Sequence, residues 1–216
     1  MGPRPLQDNF WQDRQAKIGV LVMNPAAPRA MRTGDQRLLD LAINELANNS
    51  LESHLTKLRV DDHEKFCTDF IEGLVSKGMN VQRVSLPLDV NSLSEFEAPL
   101  DGSCETKDYR PYIQEAGVDK LIILSLPAMG TTRPYYGFVP LGPPKAICMF
   151  GGKMIEAKTN KLLWSYFYTS ILAIPGNWDN PPQFPEVTAR VFEAVNISRE
   201  SVKKSFFGPS VAKAIP

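Results

Sequence analysis

The chain has 216 residues, with 24 Lys and Arg against 24 Asp and Glu, so its formal net charge at pH 7 is zero. A chain of this length can bury a sizeable core, and without a positive field nucleic acid and anionic membranes are disfavoured as partners. The longest apolar runs, such as LIILSLPAM from Leu121, fall well short of the ~20 residues that span a bilayer. We therefore expect one globular domain without a transmembrane helix.

The boundaries of that domain are predicted from composition. Residues 1–15 are polar and contain proline ahead of an abrupt strand, which is typical of a flexible leader or tether. No basic stretch followed by an apolar run is present, so no secretory signal is predicted. We expect the domain at 16–208 and a loose tail at 209–216.

In chain order, KIGVLVM (17–23) predicts a buried strand, and NPAAPRAMRTG after it predicts a linker. From Asp35 to Leu46 apolar residues recur at helical spacing, and further leucines could extend this stripe: Leu51, Leu55 and Leu58. A second helix is predicted to start at Asp61 and Asp62 as caps, with Glu64 in capping-box register, and to end at Gly78.

The second half of the chain alternates between strands and helices. A strand is predicted at 80–86, a polar surface excursion at 89–110, a short helix from Pro111 to Gly117 and a buried strand at 120–126. Two long strands at 146–157 and 162–171 then form a hairpin turning at Thr159-Asn160. Last comes a helix whose apolar stripe consists of Val187, Val191, Val195, Val202 and Phe206.

This order predicts an α/β fold with a mixed central sheet of about five strands and helices on one or both faces.

Residues that could carry catalysis or bind metal have stronger structural explanations. FGGKM (150–154) lacks the Ser or Thr and the helix that a phosphate loop needs, so Gly151 and Gly152 predict a bulge or close packing. The acidic residues in DDHE (61–64) are expected to cap a helix rather than to bind a metal. The other histidine, His54, lies nine residues before His63. No GxSxG elbow occurs. We predict no catalytic residues, metal or cofactor, although a triad assembled in three dimensions stays open.

The three cysteines also lack a recognised motif. Cys67, Cys104 and Cys148 have no CxxC spacing, which argues against a zinc ribbon or a thioredoxin-type site. An odd number permits at most one disulfide, and Cys67 and Cys148 are expected to be core thiols.

RPYYGFVPLGPP (133–144), which we call the aromatic loop, is the strongest candidate for function. It is too apolar for an ordinary loop and too rich in proline for a helix or central strand. It flanks the hairpin at the same end as PGNWDNPPQFP (175–185), so the two loops should be neighbours. Rigid loops that hold aromatic rings outward are typical of interface anchors. The predicted partner-binding residues are Arg133, Tyr135, Tyr136, Phe138, Val139, Leu141 and Trp178. The rings could equally fold back to close the sheet end.

The hairpin GGKMIEAKTNKLLWSY, through Ile155, Glu156, Thr159, Lys161 and Trp164, resembles bacterial periplasmic lipoproteins with a TolB amino-terminal-like fold, including the curli-secretion and penicillin-binding-protein activator lipoproteins. The resemblance covers residues 17–207. It implies a non-enzymatic envelope role, an acylated cysteine anchoring the protein to the outer membrane, and binding of a protein partner through a sheet edge or end. The partner expected at RPYYGFVPLGPP could also be a second copy of this chain. No lipobox is present, and the pore-forming hairpins of the curli family are absent.

Two functions therefore remain. One is a periplasmic lipoprotein that binds or assembles proteins through the aromatic loop. The other is a cytosolic, hydrolase-like α/β enzyme whose Pro-rich loops line a small-molecule pocket.

Overall fold

The computed structural model describes residues 2–35, 49–60 and 62–208, which form a mixed α/β fold around one seven-stranded sheet. The strands are β1 (Lys17–Val22), β2 (Arg29–Asp35), β3 (Asn80–Arg83), β4 (Lys120–Tyr136), β5 (Val139–Pro140), β6 (Lys145–Glu156) and β7 (Leu162–Ala173). The helices in these residues are α1 (Asn49–Leu55), α2 (His63–Ser76), α3 (Arg110–Glu115) and α4 (Pro185–Phe207). None of these helices is long and apolar enough to cross a membrane.

The sheet is built around β4. The strand order is β3-β1-β4-β6-β7, with β1 parallel to β3 and β4, and with β4, β6 and β7 antiparallel in succession. The far half of β4 pairs in parallel with β2, from Arg29 opposite Gly130 to Asp35 opposite Tyr136. The predicted α/β fold and mixed sheet are confirmed.

The predicted strands need four corrections. The strand predicted at 80–86 ends at Arg83, and the one predicted at 120–126 continues to Tyr136. Both β2, inside the predicted linker, and β5, inside the aromatic loop, were missed. The prolines fit this longer β4 because Pro127 lies in a register shift and Pro134 lies beyond Thr132, the last residue paired with β6.

The hairpin of β6 and β7 turns where the sequence predicts. Asn160 has φ 58°, in the left-handed region that asparagine tolerates. Its side chain is fully buried: Oδ1 accepts from the Tyr109 N–H at 3.0 Å, and Nδ2 donates to the carbonyls of Glu105 and Lys107 at 3.1 and 2.8 Å. This one amide fixes the segment at 84–109, which contains most of the predicted surface excursion, against the hairpin.

Two apolar clusters cover the sheet unequally. The helix side carries α1, α2 and α4, and the predicted valine and phenylalanine stripe of α4 is buried there. On the opposite side, α3 and the excursion cover Leu121, Ile123 and Ile155. Further along that side Met149, Phe167 and Ile171 are exposed. We refer to this uncovered region as the open face.

Glycines permit close packing beneath two of the hairpin's aromatic rings, as the sequence predicts. A Cβ on Gly151 would lie 2.2 Å from the Phe167 ring, and one on Gly152 would lie 2.6 Å from the Trp164 ring.

The helices agree with the sequence prediction except at a few residues near their ends. The helix predicted from Asp35 to Leu46 lies outside the described residues apart from Asp35, which ends β2 instead. The extension is present as α1 with Leu51 and Leu55 buried, and it ends before Leu58. Helix α2 ends before Gly78, which has φ 78°, as predicted. Asp62 makes no capping hydrogen bond and pairs with Arg199 at 2.7 Å, and Asp61 lies outside the described residues.

The amino-terminal segment packs on the fold, so the predicted flexible leader is wrong for the residues that make these contacts. The backbone of Arg4 exchanges hydrogen bonds of 2.8 and 3.0 Å with Ser165 on β7. The Phe10 ring is buried edge-on against Phe206, with 5.8 Å between centroids. Apolar side chains anchor this segment, which polar composition alone did not indicate. The predicted tail at 209–216 lies outside the described residues.

Candidate partner-binding surface

The aromatic loop forms a tight hairpin at the end of β4. Tyr136 pairs with Val139, leaving Gly137 and Phe138 as a two-residue loop, and Gly137 has φ 59°. Glycine at the first loop position is what a type II′ turn requires. The Leu141 N–H donates to the Pro134 carbonyl at 2.9 Å, which extends the pairing by one step.

Four large apolar side chains point away from this hairpin into solvent. Tyr136 is 73% exposed, Phe138 58%, Val139 47% and Leu141 63%. No charged residue occurs between Pro134 and Pro144. We refer to these four residues as the aromatic tip. Clustered exposed apolar side chains on a small hairpin are the kind of patch that marks an interaction site.

Tyr135 does not belong to the aromatic tip. It is only 3% exposed, so the prediction that its ring points outward is wrong. Successive residues of a strand point to opposite faces, so the continuation of β4 sends Tyr135 to the helix side and Tyr136 to the other. The neighbouring strand approaches closely here, since a Cβ on Gly34 would lie 2.1 Å from the Tyr135 carbonyl oxygen.

Arg133 and Trp178 lie at the base of the aromatic tip. The Arg133 Nε–H donates to the Gly142 carbonyl at 2.6 Å, and its guanidinium lies over the rings of Trp178 at 5.0 Å and Tyr135 at 5.7 Å. The two Pro-rich loops are therefore neighbours, as predicted. These contacts hold Arg133 within its own molecule, so of the seven predicted residues the structure presents four outward and places three beneath them.

The histidines and acidic residues do not converge on one site. His54 Nε2 lies 2.7 Å from the Thr188 hydroxyl, while His63 Nε2 lies 3.1 Å from the Met23 carbonyl. Glu64 pairs with Arg83 at 2.6 Å. The part of the chain that the structure describes contains no group of three or more His, Cys, Asp or Glu side chains able to hold a metal.

The cysteines are buried and unpaired, and burial raises the pKa of Cys148 to about 11. Cys148 is therefore protonated at neutral pH and is a poor nucleophile.

Two of the clefts that the described residues form lie away from the Pro-rich loops. One, of about 660 Å³, runs between the segment from Arg4 to Asp13 and the hairpin residues Glu156 to Leu163. The other, of about 340 Å³, lies between α2 and α4 and contains Lys65, Asp69 and Lys203. Neither cleft is lined by the Pro-rich loops, whereas the alternative enzyme function predicts that lining.

Sequence reasoning did not identify the open face. Its signal is present in β7, where Phe167, Thr169 and Ile171 alternate with residues that face the helices.

No protein-family model matches the chain, and no curated protein matches it. Among solved structures, a protein from Xanthomonas campestris assigned to the family model DUF330 is 9% identical, with 89% of this chain and 85% of that chain covered and a TM-score of 0.41. A hypothetical protein from Chlamydia trachomatis is also 9% identical, covering 87% and 94% with a TM-score of 0.40.

A lipoprotein from Neisseria meningitidis is 13% identical, covering 85% of this chain and 99% of that chain with a TM-score of 0.33. Similarity at this level identifies neither a family nor a function.

Proposed function

We propose that this protein is a non-enzymatic binding or assembly factor that captures a protein partner through the aromatic tip. The observation that carries the proposal is the exposure of Tyr136, Phe138, Val139 and Leu141 on one uncharged hairpin. Burying such side chains against a partner removes apolar surface from water at about 25 cal/mol per Å².

The tip is also braced before any partner arrives. The Leu141 N–H and the Arg133 side chain each tie the returning strand to β4 or its neighbours, and prolines restrict the backbone on both sides. A braced loop loses less conformational entropy on binding, so more of the gain from burial appears as affinity.

We place this activity in the bacterial periplasm, with a lipid anchor in the outer membrane. The support is the resemblance of the β6–β7 hairpin, through Ile155, Glu156 and Trp164, to the periplasmic lipoproteins. Cell fractionation together with the start of the native gene tests this placement. Recovery of the protein in the cytosol, with no lipobox encoded upstream, would contradict it.

Affinity capture from a bacterial envelope extract tests the binding proposal. The double variant Phe138→Ser and Leu141→Ser should lose a partner that the unaltered protein retains, at an unchanged melting temperature. The control is Val75→Ser on α2, since Val75 is 54% exposed and thus closely matches Phe138. Equal capture by the double variant would overturn the proposal.

A further inference from the structure

Strand β7 forms one edge of the sheet, and part of that edge has no partner among the residues that the structure describes. Arg4 exchanges both backbone hydrogen bonds with Ser165, so the N–H and C=O of Ser165 point away from β6. Because both groups of a residue point the same way and alternate along a strand, those of Phe167, Thr169 and Ile171 point to the same edge. Within the described residues, no backbone hydrogen bond occupies this edge beyond Ser165.

The unpaired segment has a defined centre. At its start, Arg4 occupies Ser165, and at its end the Arg190 Nε–H donates to the Ala173 carbonyl at 3.1 Å. Thr169 lies midway between these two limits.

The segment also lacks the features that protect exposed edges. From Leu162 to Ala173 the sequence LLWSYFYTSILA contains no charged residue and no proline, and the register shift in this hairpin falls before Trp164. Natural edge strands usually carry lysine, proline or a bulge to prevent pairing with another chain. The side chains of Phe167 and Ile171, on the open face, are both more than half exposed.

We propose that β7 pairs antiparallel with β7 of a second copy of this chain, about a two-fold axis at Thr169. In this register each Phe167 lies opposite the partner copy's Ile171, and the two Thr169 residues lie opposite each other. All three unpaired residues of each copy gain hydrogen bonds, and pairing stops on both sides where Arg4 and Arg190 already occupy the edge.

A second copy fits this edge because the segment is complementary to itself. A two-fold axis places the residue on the axis opposite its own counterpart, so a charge at that position would face a like charge. The uncharged centre avoids that penalty. Aromatic rings opposite β-branched side chains, and threonine opposite threonine, are favourable cross-strand pairs.

The dimer is independent of the aromatic tip, which lies on β4 and β5. Three paired residues per copy form a small interface, so we expect dissociation in the micromolar range.

Sedimentation equilibrium of the full chain tests the dimer, with a mass rising with concentration from 24.1 kDa toward twice that value. Thr169→Lys places two positive charges at the axis and should weaken dimerisation at least about tenfold, as should Thr169→Glu. An equimolar mixture of these two variants should dimerise again. The control is Met149→Lys, on the same open face but on the interior strand β6, which should leave dimerisation unchanged.

Disulfide formation by Thr169→Cys gives a second readout that does not depend on added charge. Directly opposed residues of this kind have Cα atoms about 5.5 Å apart, within disulfide range, and the native cysteines are buried. We expect a covalent dimer under oxidising conditions for this variant alone. A monomer at all concentrations up to about 0.5 mM, a mixture that stays monomeric, or dissociation by Met149→Lys would overturn the proposal.

Discussion

Neighbouring tyrosines on β4 should respond in opposite ways to the same substitution. Tyr135 is 3% exposed and packs beneath the Arg133 guanidinium, whereas Tyr136 is 73% exposed and belongs to the aromatic tip. Tyr135→Ala should therefore lower stability, and Tyr136→Ala should lower only partner capture.

The expected sizes follow from burial. Removing a buried aromatic ring lowers the free energy of unfolding by about 3–5 kcal/mol, and for a domain of this size each kcal/mol shifts the melting temperature by roughly 2–4 °C. Tyr135→Ala should thus lower the melting temperature by about 6–20 °C. An exposed substitution stays within about 0.5 kcal/mol, so Tyr136→Ala should change it by no more than about 2 °C.

Thermal unfolding followed by circular dichroism measures both shifts, and capture from the envelope extract gives the second readout. Phe138→Ala serves as a further exposed control from the same tip. A large destabilisation by Tyr136→Ala would show that the tip belongs to the core. A negligible effect of Tyr135→Ala would show that β4 does not continue to Tyr136.

Gly152→Ala should lower the free energy of unfolding by about 1–3 kcal/mol in urea, because the added methyl meets the buried Trp164 ring; no change would contradict this packing. Asn160→Ala should cost about 2–4 kcal/mol by the same measurement, since the three hydrogen bonds of the buried Asn160 amide are lost; a loss under about 1 kcal/mol would count against that role. Burial, and then Arg199, lower the pKa of His63, so the unfolded chain binds its proton more readily. The contribution of neutral His63 to the free energy of unfolding should be fully present above about pH 6.5 and should decline as the pH falls below that value. His63→Gln should make the free energy of unfolding fall less steeply with decreasing pH, and an unchanged slope would refute this prediction.

The sequence predicted those elements whose signals are local. Apolar runs and glycine stops located β1 and α2, and the tolerance of Asn160 for positive φ located the hairpin turn. The buried residues of α4 were predicted correctly because helical spacing alone determines which residues share a face.

Pairing between strands that are distant in the sequence could not be predicted from such local signals. Strand β2, RAMRTGD, has two arginines and a glycine and no apolar alternation, and it is a strand because β4 offers it an edge. That pairing extends β4 to Tyr136, and the alternation of the extended strand buries Tyr135. Proline content predicted a loop at Pro134, but pairing with β2 determined the structure.

Site-specific photo-crosslinking from the aromatic tip tests the proposed function most directly. A photoreactive phenylalanine analogue replacing Phe138 would be activated in intact cells, with the same analogue at Val75 as the equally exposed control. We expect one discrete crosslinked envelope protein from position 138, none from position 75, and loss of the product when Leu141→Ser is added. Absence of a crosslink at 138, or the same products from both positions, would contradict it.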